Sequence, residues 1–231
     1  MGYSQRNLRN MRQFYKVTKK WQTMSAKLSW SHYCEILWFD NNKFQYYVNI
    51  VEQNNLSIRQ LRERIKSKEY ERLPIETKNK IINNTTLELG DEIKNQIIIN
   101  NKCNIDVDNI KEKVLQELIL DDLSNFLKQL GPGFSYIENE YKIRIGNNYN
   151  YIDILLYNVI YHSYVVVELK VTELKKEHIG QVMIYMNYID ENIKQISDNK
   201  TIGLIVVKEN NNYIIKYSSD NRIKSVEYKI I

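Results

Sequence analysis

The sequence predicts an α/β chain, a mixed sheet flanked by helices and preceded by an all-helical N-terminal domain. Three observations carry this reading. Residues 1–75 space their apolar side chains at helical intervals. From Ile110 the pattern turns into helix–strand–strand–strand–helix–strand, which builds an α/β layer. Within that second half, Tyr151-Ile-Asp-Ile-Leu-Leu-Tyr157 and Val165-Val-Val-Glu-Leu-Lys170 read as core strands that nevertheless carry charge.

The helical elements follow in order. Ser4 is an N-cap, with Leu8, Met11, Phe14 and Tyr15 as an apolar stripe and Arg6, Arg9, Arg12 and Lys16 as a basic ridge beside it. Ser29 caps a second helix bearing Tyr33, Ile36 and Leu37, which stops at Asp40-Asn-Asn42. A third spans about Lys43 to Gln53. Ser57-Ile-Arg-Gln60 has capping-box spacing and opens a fourth, which ends before Pro74. Residues 76–109 are rich in Asn and Lys, with one apolar run at Ile97-Ile-Ile99, and read as a connector; an ordered extension of either domain is the alternative.

Residues 110–231 form the second domain. An amphipathic helix carries Val114, Leu118, Leu123, Phe126, Leu127 and Leu130 and ends at Gly131-Pro-Gly133. Tyr136 to Ile145 is a strand, Gly146-Asn-Asn148 a turn, and the two charged strands follow. A helix from Lys176 to Tyr188, a strand at Ile202–Val207, and alternating strands at Tyr213–Tyr217 and Ser225–Ile230 complete it.

Composition narrows the function classes. The 231 residues are 43% hydrophobic and 26% charged, which suits a soluble globular protein of one large or two small domains. No apolar run approaches the roughly 20 residues of a membrane span. The N-terminus lacks the apolar core of a signal sequence, and Arg6 breaks the myristoylation pattern. Cys34 and Cys103 lie far apart without metal-ligand spacing and read as reduced thiols. A cytoplasmic protein is expected. Residues 1–75 hold 14 Lys+Arg against 6 Asp+Glu, whereas residues 76–231 hold 19 against 22. That asymmetry suggests a first domain that grips a polyanion; an ordinary solvated basic face is the other explanation.

Buried charge is costly unless it is paired or holds a metal. Residues i and i+2 of a strand share a face, so Glu168 and Lys170 point the same way and Leu169 the other. If the two charged runs form a hairpin turning near Ile160 and Tyr161, Asp153 falls opposite Glu168. Two carboxylates and an ammonium then converge, which suits a divalent-metal site for phosphodiester hydrolysis. On the next helix Gln181 and Tyr185 stand at i and i+4, on one face, within reach of the sheet end where Lys170 emerges. Glu-x-Lys by itself is usually an exposed charge pair; the preceding valines argue for burial here. His32, His162 and His178 lack metal-ligand spacing, Trp21, Trp30 and Trp38 read as core, and no Gly-rich phosphate loop is present.

Asp153, Glu168-Leu-Lys170 and Gln181-x-x-x-Tyr185 resemble the PD-(D/E)XK nuclease superfamily. The wider wording, with Gly180-Gln181 and Ile202-Gly-Leu-Ile205, resembles its YhcG-like branch of bacteria and prophages. Ser4-Gln-Arg-Asn-Leu-Arg-Asn-Met-Arg-Gln-Phe-Tyr15 and Leu28-Ser-Trp-Ser-His-Tyr33 resemble that branch's N-terminal domain, thought to bind nucleic acid. The resemblance covers nearly the whole chain. It implies a restriction-endonuclease-like sheet and an Mg²⁺- or Mn²⁺-dependent endodeoxyribonuclease. Asp153, Glu168 and the Leu169 backbone carbonyl would hold the metal, with Lys170 orienting or helping to deprotonate a water. Gln181 would position Lys170 or a phosphate, with Tyr185 in support. Glu117 matches a position for an outer-shell metal carboxylate; a solvated helix charge is its other reading. Arg9, Arg12, Arg59 and Arg62 would contact DNA phosphates, and two cuts in a duplex with one site per chain would favour a homodimer.

The chain departs from the family in three places. Ile152 replaces the proline, Val159 and Ile160 stand where relatives often carry hairpin arginines, and the family's helical domain begins upstream of the position matching Gly2. A truncated copy is therefore expected. The competing functions are a non-catalytic nucleic-acid-binding protein and an inert assembly subunit.

Overall fold

The computed structural model describes residues 4–18, 28–82, 85, 88–101, 110–218 and 220–231. The chain divides into two compact units, Met1–Thr86 and Leu87–Ile231.

Among the described residues the first unit is all helical: α1 (Gln5–Thr18), α2 (Trp30–Ile36), α3 (Asn41–Asn54), α4 (Ile58–Lys66) and α5 (Ile75–Ile82). Short polar side chains start these helices because the first backbone N–H groups have no partner within the helix. Ser4 Oγ accepts the Asn7 N–H at 3.3 Å. In α4 the capping box is reciprocal: Gln60 Oε1 accepts the Ser57 N–H at 2.8 Å and Ser57 Oγ accepts the Gln60 N–H at 3.3 Å. Asp40-Asn-Asn42, expected as the stop of the second helix, instead starts the third, with Asp40 Oδ1 accepting the N–H groups of Asn42 and Lys43. Tyr33, Ile36, Leu37, Tyr47 and Leu61 are buried. The apolar stripe expected on α1 is largely not: Leu8, Met11 and Tyr15 are exposed, whereas Phe14 packs edge-on against Trp30 and Tyr33. Trp30 and Trp38, expected in the core, are exposed as well; Trp38 donates its indole N–H to Asn10 Oδ1 at 3.2 Å. Trp21 and Cys103 lie outside the described residues.

The second unit contains a six-stranded mixed sheet in the order β1-β6-β5-β4-β3-β2. Its elements are α6 (Leu89–Glu92), β1 (Gln96–Ile99), α7 (Glu112–Asp121), α8 (Leu123–Leu130), β2 (Phe134–Ile145), β3 (Asn148–Asn158), β4 (Ser163–Glu173), α9 (Lys176–Asn192), β5 (Ile202–Glu209), α10 (Asn212–Lys216) and β6 (Ile223–Ile230). β2, β3 and β4 pair antiparallel, whereas β5 pairs parallel with β4 and β6, and β6 parallel with β1. The expected mixed sheet flanked by helices, with a helical unit before it, is what the chain builds.

Three expectations change. The stretch read as a connector supplies α5 to the first unit and strand β1, the Ile97-Ile-Ile99 run, to the edge of the sheet. The helix expected through Leu130 breaks in two at Asp122, whose backbone leaves helical geometry (φ −129°, ψ 44°) and whose carboxylate accepts from Asn100 Nδ2 at 2.7 Å. The five-residue step from Leu118 to Leu123 in its apolar pattern is the trace of that break. Tyr213–Tyr217, expected as a strand, is the short helix α10: Asn211 Oδ1 accepts the Ile214 N–H, and Ile214 and Ile215 both turn toward the core.

Two apolar layers sandwich the sheet. α7 and α8 cover one face, over Ile154, Leu156, Val165, Val167 and Leu169. α9 covers the other, over Leu155, Val166, Ile205 and Val207. The close approach of α9 requires glycine at 203, because a Cβ there would meet Val182 and Met186 inside contact distance.

Candidate active site

Strands β3 and β4 pair from Ile154–Val167 to Asn158–Ser163, turning through Val159–His162 as the hairpin reading requires. Asp153 and Glu168 stand one step beyond the last pair, where the two strands part.

Alternation fails at Asp153. Ile154 packs into the α7–α8 layer, whereas Ile152, two residues away, packs into the α9 layer. Across the sheet, Glu140 sits opposite Asp153, between the pairs Asn139–Ile154 and Tyr141–Ile152, with φ at +50°. A left-handed backbone at a non-glycine costs about 1–3 kcal/mol and persists where the surroundings impose it. The strand pair therefore changes faces at the residue that carries the carboxylate. Asp153 is pinned there twice: its carbonyl accepts from Gln116 Nε2 at 2.8 Å, and its Oδ2 accepts the Leu169 N–H at 2.7 Å.

Glu168 is 2% exposed. Its Oε1 lies 2.9 Å from Lys170 Nζ, while Oε2 is buried with no hydrogen-bond partner among the described residues. Leu169, between them on β4, is fully buried. Lys170 Nζ also reaches Glu112 Oε2, in the first turn of α7, at 3.2 Å. Burial pushes the Glu168 carboxyl up to about 7, and the charge of Asp153 adds to the rise against the pull of Lys170. Burial likewise raises Asp153, although the Leu169 amide and Lys170 work against it. For Lys170 burial opposes the charge, but Glu168 and Glu112 outweigh it and hold the ammonium above its ordinary value.

On α9, Gln181 Nε2 donates to the Tyr185 hydroxyl at 3.0 Å. Burial raises the Tyr185 phenol, and the charges of Glu168 and Asp153 contribute although Gln181 opposes them. The structure thus brings Asp153, Glu168 and Lys170 together, with Tyr185 within their field and Gln181 behind it; no hydrogen bond joins Gln181 to Lys170 among the described residues. Glu117 is exposed. The carboxylate of α7 that reaches the site is Glu112, and Gln116, one turn on, holds Asp153. Their i, i+4 spacing was visible in the sequence, but which of two glutamates faces the sheet depends on how the helix is rotated. Glu140 left no sequence signal.

The four arginines expected on phosphates divide. Arg59 is ion-paired with Glu63 at 3.3 Å and Arg62 with Glu35 at 2.7 Å. Arg9 and Arg12 are exposed on α1, with no carboxylate in ion-pair range among the described residues.

An oxygen-seeking divalent cation fits the donor set. A buried carboxylate oxygen without a partner costs free energy unless something outside the protein completes it, and Glu168 Oε2 is such an atom beside a second carboxylate. No group of three or more His, Cys, Asp or Glu side chains suited to a metal occurs among the described residues. Two carboxylates suit an ion that keeps several waters, as Mg²⁺ does, better than one enclosed by protein ligands.

Two family profiles match: the YhcG PDDEXK nuclease domain over residues 91–230 and the DUF1016 N-terminal domain over residues 1–72. The chain is 24% identical over 269 residues to the "Putative nuclease YhcG" of Escherichia coli (strain K12), covering 99% of this chain and 72% of that protein. Among solved structures it is similar to a repair endonuclease from Pyrococcus abyssi (17% identity, TM-score 0.36, 53% of this chain and 47% of that one). It is also similar to EndoMS in apo form (18% identity, TM-score 0.35, 54% of this chain and 47% of that one). The chain spans about half the length of each of these two, and at such scores they add nothing to the topology described above. No helix among the described residues is long and apolar enough to cross a membrane.

Proposed function

This chain belongs to the YhcG PDDEXK nuclease family, and on that premise we propose that it is a metal-dependent endonuclease hydrolysing phosphodiester bonds of DNA. The observation that carries the reading is the buried Oε2 of Glu168, without a hydrogen-bond partner among the described residues, beside Asp153 and Lys170. Asp153 and Glu168, with the Leu169 carbonyl, would hold Mg²⁺ or Mn²⁺. Bound there, the ion would supply a Lewis acid for the phosphate and acidify a water.

The chain's own groups supply the rest. Lys170 lies between two carboxylates that hold its ammonium above its ordinary value, so it supplies a hydrogen-bond donor and a positive charge at the site. It orients the attacking water and offsets the charge that develops on the phosphate. Glu112 fixes that ammonium, a role distinct from the outer metal carboxylate expected of Glu117. Gln116 and the Leu169 amide hold Asp153 in place. The Gln181–Tyr185 pair supports the same end of the sheet. Residues 1–75 would serve as the nucleic-acid-binding module, with Arg9 and Arg12 on phosphates, whereas Arg59 and Arg62 would first have to leave their glutamates. Binding through such contacts is salt-sensitive and largely independent of sequence.

The test is a cleavage assay on supercoiled, linear and branched DNA with Mg²⁺ or Mn²⁺. Glu168→Ala and Lys170→Ala should each lower the rate about a thousandfold while remaining folded. Robust cleavage by either variant overturns the site.

A further inference from the structure

Past Asp153 the β2–β3 hairpin outruns the sheet. β4 accompanies β3 only over Ile154–Asn158, whereas β2 and β3 stay paired to the Ile145–Asn148 tip, where Gly146 (φ +61°) makes the turn. Residues 141–151 therefore form a two-stranded arm. Ile143 is buried on one side of it, with Tyr141 and Ile145 packed against the α9 layer. The other side presents Lys142, Arg144, Tyr149 and Tyr151, all exposed.

These four form cross-strand couples, Lys142 opposite Tyr151 and Arg144 opposite Tyr149. Lys142 Nζ lies 3.8 Å over the Tyr149 ring, and Arg144 Nε donates only locally, to the Gly146 carbonyl. Neither cation has a carboxylate in ion-pair range among the described residues. The tyrosines are 57% and 51% exposed, so burial does not account for them. Charge also changes sign along β2, from Glu140 opposite Asp153 to Lys142 and Arg144 on the arm. A polyanion is thus attracted to the arm and meets carboxylates only at the site. Tyr151 stands two residues from Asp153, about 7 Å along the strand.

Exposed aromatic faces interleaved with cations suit unpaired nucleic acid, whose bases can stack while its phosphates meet the cations. A duplex hides its base faces and could use only the cations. We propose that the Lys142–Arg144–Tyr149–Tyr151 face is a binding platform for a single-stranded nucleic-acid segment that leads to Asp153 and Glu168. Its place as a feed to the cut rests on the nuclease reading; the binding itself does not.

The test uses the full chain in EDTA, with the anisotropy of a labelled oligothymidine and of a duplex of equal length. Y149A/Y151A should weaken oligothymidine binding about tenfold or more, since it removes the rings on which bases would stack, with little change for the duplex. Y149F/Y151F, which keeps both rings, should bind like the parent. K142A/R144A should flatten the salt dependence for oligothymidine by about 1.4 in log–log slope, roughly 0.7 for each phosphate contact. Unchanged oligothymidine affinity in Y149A/Y151A and K142A/R144A overturns the proposal. So does an equal loss on the duplex in Y149A/Y151A, or a change of oligomeric state with oligothymidine affinity intact, which would make the face a protein contact. If the platform variants behave as expected but the parent cuts nothing with any divalent metal, the platform stands and the nuclease reading falls. If Glu168→Ala abolishes cutting while no arm variant alters binding, the reverse holds.

Discussion

Asp190 on α9 and Glu168 on β4 are both carboxylates nearly out of water, with side-chain exposures of 4% and 2%, yet their surroundings differ. Asp190 is complete. Its Oδ1 accepts the Thr201 N–H at 2.9 Å and hydroxyl at 2.7 Å, and its Oδ2 pairs with Arg222 at 2.9 Å. Burial would raise its pKa, but the Thr201 bonds, Lys200 and Arg222 prevail and hold it below the ordinary range. Among the described residues Glu168 has one cation and an oxygen with no partner, and its carboxyl is displaced upward to about 7. The first arrangement ties α9 to the chain entering β5 and β6 and needs nothing more. The second leaves an oxygen open to a proton or an external cation, as the proposed metal-binding role requires.

The largest test of that difference is stability. Asp190→Ala should cost about 3 kcal/mol in urea unfolding, because it leaves the buried Thr201 N–H and hydroxyl without their acceptor and Arg222 with Asp220 alone. Glu168→Gln should cost far less without metal, and a comparable loss would erase the distinction. Next comes ligand linkage. Mg²⁺ or Mn²⁺ at a hundredfold excess over its dissociation constant should stabilise the protein by about 2.7 kcal/mol, and Glu168→Gln should remove the shift in a thermal melt. An identical shift in the variant would put the metal elsewhere.

The two carboxylates should also carry opposite pH slopes in metal-free protein. Between the ordinary carboxylate range and about 7, folded Glu168 keeps a proton that the unfolded chain has released, so its contribution falls as pH rises through that window. Asp190, depressed in the fold, contributes above the ordinary carboxylate range and loses that contribution as pH falls. Melts from acid to neutral pH should show Glu168→Gln flattening only the upper limb. The smallest effect expected is at Glu112, whose change to Gln should slow cleavage about tenfold by loosening Lys170 without removing it. A null effect on the rate would return Glu112 to the status of a surface charge.

Much of the fold was legible because its signals are local. Capping boxes, three-to-four spacing and strand alternation are set within a few residues, so α4, β2–β4 and α9 could be read directly. Hairpin register followed from a short turn, which is why Asp153 could be placed opposite Glu168. The misreadings have non-local causes. Tyr213–Tyr217 has strand-forming residues, yet two consecutive isoleucines turn inward as one helical turn capped by Asn211. β1 is four residues long and exists through its pairing with β6, more than a hundred positions away.

By itself the sequence determined which chemistry was available: carboxylates and a lysine embedded in apolar strands, where their charge demands a counterpart. Only the tertiary structure decided which groups answer that demand. Helix rotation chose Glu112 over Glu117 as the neighbour of Lys170, and the face change at Glu140 and Asp153 set the carboxylate where the strands part. It also left Glu168 Oε2 without a hydrogen-bond partner among the described residues. Periodicity specifies what a segment can bury, whereas completing a buried charge requires groups brought together from distant segments.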